Sequence, residues 1–189
     1  MEKLKIGVSS CLLGQQVRYN GDHKYNQIVI DLFDLDDRFE AVPVCPEVEM
    51  GMGIPREKVQ IVEGVGRMAG ESSNLNQKLP LSISKLPPRV VARMVGVESG
   101  KDWTDVMTDF SSKKLEELSD LCGFIFKTRS PSCGTQAVPV YPATGETTAG
   151  LFARAFMKRF PDIPVIDEEQ LQDEQARENF IAATSRGGN

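Results

Sequence analysis

The sequence predicts an α/β domain built on a mainly parallel, Rossmann-like sheet with helices on both faces. Three observations carry that prediction. Short apolar runs alternate with longer amphipathic ones, the pattern of strands joined by crossover helices. Three of the short runs lead into loops that carry a cysteine at their start together with proline or glycine. No internal repeat and no linker divides the 189 residues, a length that one core can fill. Residues 1–184 read as a single domain and 185–189 as a disordered tail.

The elements follow in order. Lys5 to Ser9 is a short apolar strand, and Ser10 to Tyr25 a polar, Gly- and Asn-containing loop. Gln27 to Leu35 repeats apolar residues at helical spacing. Phe39 to Val44 is a second strand, and Cys45 to Arg56 a loop punctuated by Pro46, Gly51, Gly53 and Pro55. Val59 to Val62 is a strand, the region around Ser82 to Pro88 an irregular insertion, and Arg89 to Val97 strand or helix. Asp102 to Leu121 is a helix with Asp102 as its N-cap. Gly123 to Phe126 is a strand and Thr128 to Thr135 the third loop. Gly150 to Phe160 is helical, Ile163 to Ile166 a strand, and Asp167 to Ile181 a final helix.

The net charge is −5, so no general attraction to nucleic-acid backbones is expected. No apolar stretch is long enough to cross a bilayer and no signal peptide is evident. The expectation is a cytoplasmic protein, where four cysteines serve metal binding, catalysis or packing rather than disulfides.

Cys11, Cys45 and Cys133 share one setting, just past the carboxyl end of a strand. In open α/β sheets such loops line the ligand crevice, so residues far apart in the chain converge there. A single cysteine of this kind is best read as a small buried hydrophobe. Three of them favour a metal centre. Cys122, between Leu121 and Gly123, lacks such a loop and reads as a core residue. Three thiolates could hold zinc if His23, the only histidine, were the fourth ligand. Alternatively they could hold a 4Fe-4S cluster with one open iron.

At these residues the chain resembles the thiouracil desulfurase-like family, formerly a domain of unknown function. The matching segments are Ser10-Cys11-Leu12-Leu13-Gly14, Val17-Arg18-Tyr19, Gly21-Asp22-His23-Lys24, Val44-Cys45-Pro46-Glu47, Gly51 with Pro55-Arg56, and Ser130-Pro131-Ser132-Cys133-Gly134. Gly150-Leu151-Phe152-Ala153 through Arg177-Glu178-Asn179-Phe180 resembles the branch often fused to a second C-terminal domain. The resemblance implies a 4Fe-4S cluster on Cys11, Cys45 and Cys133, and non-redox removal of sulfur from a thiolated pyrimidine as sulfide. It further implies a catalytic carboxylate at Glu47 and a catalytic serine at Ser130. Arg18, His23, Lys24, Arg56 and Ser132, in the same motif loops, are candidates for holding the substrate. Asn20 and Asp22 depart from the family's usual Asp and Gly, and the region around 66–93 is longer than usual. The alternative expectation is a non-catalytic iron–sulfur or zinc module acting with a partner protein.

Overall fold

In the computed structural model, which describes residues 3–65, 90–142 and 145–186, the first apolar run forms strand β1 (Leu4–Ser9). It pairs in parallel with β2 (Phe39–Val44) on one side and β5 (Leu121–Phe126) on the other. Strand β8 (Val165–Asp167) pairs in parallel with β5, giving the order β2-β1-β5-β8. A strand buried on both faces should read as a continuous apolar run rather than an alternating one. The segment from Phe124 to Phe126 does so, with all three residues fully buried.

Helices cover both faces. On one, α1 (Gln27–Asp34) and α5 (Glu174–Arg186) bring Val29, Leu32 and Phe180 against Ile6, Val8 and Ile125. On the other, α3 (Thr104–Glu117) and α4 (Leu151–Arg159) bring Met107, Leu115, Phe152 and Phe156 against Phe124 and Phe126. The Phe124 and Phe126 rings stack with centroids 3.9 Å apart, and Phe156 meets Phe124 edge-on at 4.9 Å. This aromatic cluster explains Gly7. A Cβ there would lie 2.4 Å from the Phe124 ring, and overpacking of that kind costs about 1–3 kcal/mol.

A second sheet, not anticipated from the sequence, has the order β4-β3-β6-β7. It consists of β3 (Val59–Val65), β4 (Val90–Gly96), β6 (Val138–Tyr141) and β7 (Thr147–Thr148). Strands β3 and β4 are antiparallel, β3 and β6 parallel, β6 and β7 antiparallel. Ile61, Met94, Val138 and Val140 bury it in the core shared with α3 and α4. The open choice at 89–97 thus resolves as strand. The expected insertion at 82–88 lies outside the described residues, as does most of the long 66–93 region.

Three further differences have local causes. The third helix starts at Thr104, because Asp102 Oδ1 accepts the Thr104 N–H (2.9 Å) while its other oxygen pairs with Arg93. The last helix is interrupted: Asp167 accepts the N–H groups of Glu169 and Gln170 and opens a separate 3-10 turn, Gln170–Gln172. Asp173 then accepts the Ala176 N–H (2.8 Å) and starts α5, which runs through Ser185 and Arg186, two residues into the expected tail. Within the second loop, Pro46–Glu49 forms a one-turn helix, α2. Proline at its first position and two glutamates in its first turn are favourable helix-start signals. No helix among the described residues is long and apolar enough to cross a membrane.

Candidate functional site

The carboxyl ends of β1, β2 and β5 open onto a cavity of about 330 Å³. Cys11, Cys45 and Cys133 all line it. The central strand β1 has its sequential neighbour β2 on one side and the later β5 on the other, so this is a point where the strand order reverses. All four cysteines are free thiols. Cys122 lies within β5, half-buried and away from the cavity, and belongs to neither core cluster.

Each loop fixes its cysteine by a different device. Cys11 sits in a 3-10 turn, Ser10–Leu13, and its carbonyl accepts the Gly14 and Lys24 N–H groups (3.3 and 2.8 Å). Cys45 is the N-cap of α2, and its N–H donates to Glu49 Oε1 at 2.7 Å. Glu49 is in turn anchored by Lys114 of α3 at 3.0 Å. Cys133 is held by Ser130, whose Oγ accepts the N–H groups of Ser132 (3.3 Å) and Cys133 (3.1 Å). The same loop caps α4, since the carbonyls of Pro131 and Ser132 accept the Leu151 and Ala153 N–H groups, each at 3.0 Å. The approach is close enough that a Cβ on Gly150 would stand 2.6 Å from the Ser132 carbonyl.

Burial raises all three thiol pKa values, since the thiolate loses hydration. Cys11 is pushed up to about 11 by burial first and by Cys45 next; Lys127 opposes this more strongly than Glu168 adds to it. Cys45 is raised by burial, against a hydrogen bond from the Val48 backbone. Cys133 is raised furthest by burial, then by Cys45, with a Ser9 hydrogen bond and the charges of Glu47 and Cys11 acting after them. The three sulfurs therefore feel one another. Among the described residues, however, no group of three or more His, Cys, Asp or Glu side chains forms a site for a single metal ion.

Glu47, two residues past Cys45, lines the cavity with its carboxylate fully engaged on one side. Arg56 donates to Oε2 through Nε (2.9 Å) and Nη2 (2.7 Å), and Ser132 Oγ donates to Oε1 at 2.5 Å. Two further Arg56 N–H groups reach the Val17 carbonyl (2.9 Å) and the Gly53 carbonyl (3.1 Å). Arg56 is thus committed to Glu47 and to two loops. Ser132 is fully buried and stands behind Glu47, outside the cavity lining. Ser130, Arg18 and Lys24 line the cavity. His23 does not: it is exposed, and its Nδ1 accepts the Tyr25 N–H at 3.1 Å. Asn20 and Asp22 close the same turn, accepting the N–H groups of Asp22 (3.3 Å) and His23 (2.7 Å).

Several lining residues were not singled out from the sequence. Tyr19 lies under two cations, Lys58 and Arg18, at 5.0 and 5.5 Å from its ring centroid. Lys127 and Thr128 stand just past β5 and are bonded to Glu168 just past β8. The strand-end rule that singles out the cysteines covers Lys127 and Thr128 equally. Glu168 escaped it because Asp167 and Glu168 read as the start of a helix.

The profile of the 2-thiouracil desulfurase family matches residues 6–168. The chain belongs to the 2-thiouracil desulfurase family. It is also 29% identical over 170 residues to the uncharacterized protein YbbK of Bacillus subtilis (strain 168), spanning 89% of this chain and 98% of that one. Among solved structures it is similar to the [4Fe-4S]-dependent thiouracil desulfidase TudS (DUF523Vcz). The TM-score is 0.60 at 27% identity, over 94% of this chain and 99% of that one.

Proposed function

We propose that this protein removes sulfur from a thiolated pyrimidine, thiouracil or a close analogue, as sulfide. The reaction uses a 4Fe-4S cluster held by Cys11, Cys45 and Cys133, with one iron free of protein ligands. The observation that carries this reading is the convergence of three free thiols, from three strand ends, on one cavity. That cavity is within the range of about 300–1,000 Å³ used for small molecules. Three thiols on one cavity are a donor set of the kind that holds iron–sulfur clusters, and His23, the candidate fourth ligand for zinc, does not line that cavity. Family membership and the likeness to TudS support the same reading. Free thiols throughout accord with a cytoplasmic location.

When bound, the cluster supplies a Lewis acid for the substrate sulfur. The chain's own residues supply the rest. Glu47 takes a proton from the attacking water through Oε1, where its one protein donor among the described residues is the Ser132 hydroxyl. Arg56 and Ser132 position that carboxylate. Ser130 already accepts two backbone N–H groups, so its own hydroxyl hydrogen is available to orient the heterocycle. Arg18 and Lys24 line the cavity, where they could meet the exocyclic carbonyl oxygen of the pyrimidine or an anionic substituent on it. The water oxygen bonds to the thiocarbonyl carbon, the C–S bond breaks, and sulfur leaves with the water's protons. The thiocarbonyl and one water thus become a carbonyl and one hydrogen sulfide, with no change of oxidation state.

Anaerobic reconstitution followed by incubation with thiouracil tests the proposal. The expected result is protein-bound iron and acid-labile sulfide, with uracil and sulfide released in equal amounts. Stoichiometric zinc without labile sulfide would refute the cofactor, and a full cluster without turnover would refute the activity in favour of a binding module.

A further inference from the structure

Among the cations around the cavity, Lys127 is fully tied down. The register of β5 with β8 sets Phe126 beside Asp167, so the next residue of each strand, Lys127 and Glu168, meet just beyond the strand ends. The Lys127 ammonium donates to Glu168 Oε1, to Thr128 Oγ1 (2.8 Å) and to the Thr128 carbonyl (3.2 Å). That uses all three of its hydrogens. Glu168, only 8% exposed, also accepts the Thr128 N–H (2.8 Å) and hydroxyl (2.7 Å). The Lys127 N–H donates to Ser9 Oγ at 3.0 Å, which ties it to the strand leading to Cys11. Arg18, by contrast, has a 3.8 Å contact with exposed Asp22, and Lys24 is itself exposed.

A lysine with no hydrogen to spare is poorly placed to grip a substrate oxygen. What it still offers is charge. Lys127 lines the cavity and Glu168 does not, and of the two Lys127 acts more strongly on Cys11, so the pair presents its positive end to that thiol. The need for such a charge follows from the proposed function, on which this inference rests. Three thiolates outnumber the positive charges of an oxidised 4Fe-4S core, so the loaded cavity carries a net negative charge, and a departing sulfide adds to it.

We propose that Lys127 and Glu168 form an electrostatic positioning pair. Lys127 holds a fixed positive charge against the cluster, its thiolates and the departing sulfide. Glu168 fixes where that charge stands and moderates it. The two residues therefore act on the site with opposite signs, although they are bonded to each other.

The opposite signs make the test. In anaerobically reconstituted full-length protein, the midpoint potential of the cluster and the affinity for added hydrosulfide are measured alongside kcat and KM. Lys127→Met should lower the potential and weaken hydrosulfide binding on the order of tenfold. Glu168→Gln keeps an acceptor for Thr128 but removes the opposing charge, so it should raise the potential and tighten hydrosulfide binding. Lys127→Arg keeps the charge and should hold the wild-type potential. A pair with only a structural role would move Lys127→Met and Glu168→Gln in the same direction or leave both unchanged, and either result overturns the proposal. If Lys127→Met loses its fold by circular dichroism, the sign of the Glu168→Gln shift decides alone. Wild-type protein that takes up no cluster overturns the proposed function and this inference together, whereas a normal cluster with wrong signs overturns this inference only.

Discussion

Replacing Arg56 by Met keeps the aliphatic stem and removes a guanidinium that holds three parts of the site together. The size of the effect follows from what that group does. Its side chain is 5% exposed and that of Glu47 is 14% exposed, so the pair is largely shielded from solvent. Without the guanidinium, Glu47 keeps one side-chain donor among the described residues, the Ser132 hydroxyl, and the Val17 and Gly53 carbonyls each lose one. Removing one member of a buried ion pair costs about 3–5 kcal/mol. Val17 borders the cavity, where water can replace a lost donor, so the lower part of that range, about 3–4 kcal/mol, applies. With a urea m-value of about 2 kcal/mol/M for a chain of this size, the unfolding midpoint should fall by roughly 1.5–2 M. Urea unfolding followed by circular dichroism, at matched iron content, measures it. Arg56→Lys should recover only part of the loss, because one ammonium cannot serve the carboxylate and both carbonyls in the same planar arrangement. Adding Glu47→Gln to Arg56→Met should restore about 1 kcal/mol or more relative to the sum of the single effects. A midpoint drop below about 0.5 M, roughly 1 kcal/mol, would show that the pair behaves as an exposed ion pair and refute the role given to Arg56.

Changing Cys11, Cys45 or Cys133 to Ala should abolish or cripple iron and labile-sulfide incorporation, while Cys122→Ala, away from the cavity, should leave both at wild-type levels; metal and sulfide analysis checks this. Glu47→Gln should keep the cluster and substrate affinity and lose turnover by about 10²–10⁴-fold; near-normal turnover at equal cluster content would rule out the base. Reduced, metal-free protein should lose stability as pH rises. The three thiols have folded pKa values above their unfolded ones, so their contribution is complete below about pH 9 and fades as pH climbs toward and past about 11, the value for Cys11. Urea midpoints from pH 8 to 11 should show the decline, and Cys11→Ala should flatten part of it.

The parallel sheet was legible because its two inner strands are buried on both faces and say so in composition: Ile6 and Val8 in β1, and Phe124 to Phe126 in β5, are buried and apolar. The three cysteines were legible because each lies in a loop that follows a strand, although Cys45 follows an edge strand whose Glu40 and Pro43 are exposed. The second sheet was not. Its pairing of β3 with β4 joins residues on opposite sides of a long intervening segment, and β6 and β7 are four and two residues long, too short for any periodicity to register. The helix start expected at Asp167 failed on an ambiguity of chemistry. An aspartate that caps a helix and one that caps a single 3-10 turn present the same residue, and only the second cap at Asp173 separates them.

What the sequence could not convey is that the cysteine loops are fastened to one another chiefly by polar side chains, to which the thiols add only a 3.8 Å contact of Cys45 Sγ with the Val17 carbonyl and a hydrogen bond between Cys133 and Ser9. Arg56 joins the loop after β2 to the Val17 carbonyl in the loop after β1. Ser132, in the loop after β5, reaches Glu47 in the loop after β2. Ser9, at the end of β1, accepts the Lys127 N–H at the end of β5. These three links run between each pair of the loops that carry Cys11, Cys45 and Cys133, so the triangle is closed by hydrogen bonds alone. On the proposed function, these links would hold the three cysteine loops together ahead of the cluster, and its binding would not have to repay the full entropy of ordering three separate loops. The residues read from the sequence as candidates to hold substrate thus divide in two. Arg18 and Lys24 line the cavity without such commitments, whereas Arg56, which also lines it, and Ser132 behind Glu47 spend their hydrogen bonds on holding the site in shape.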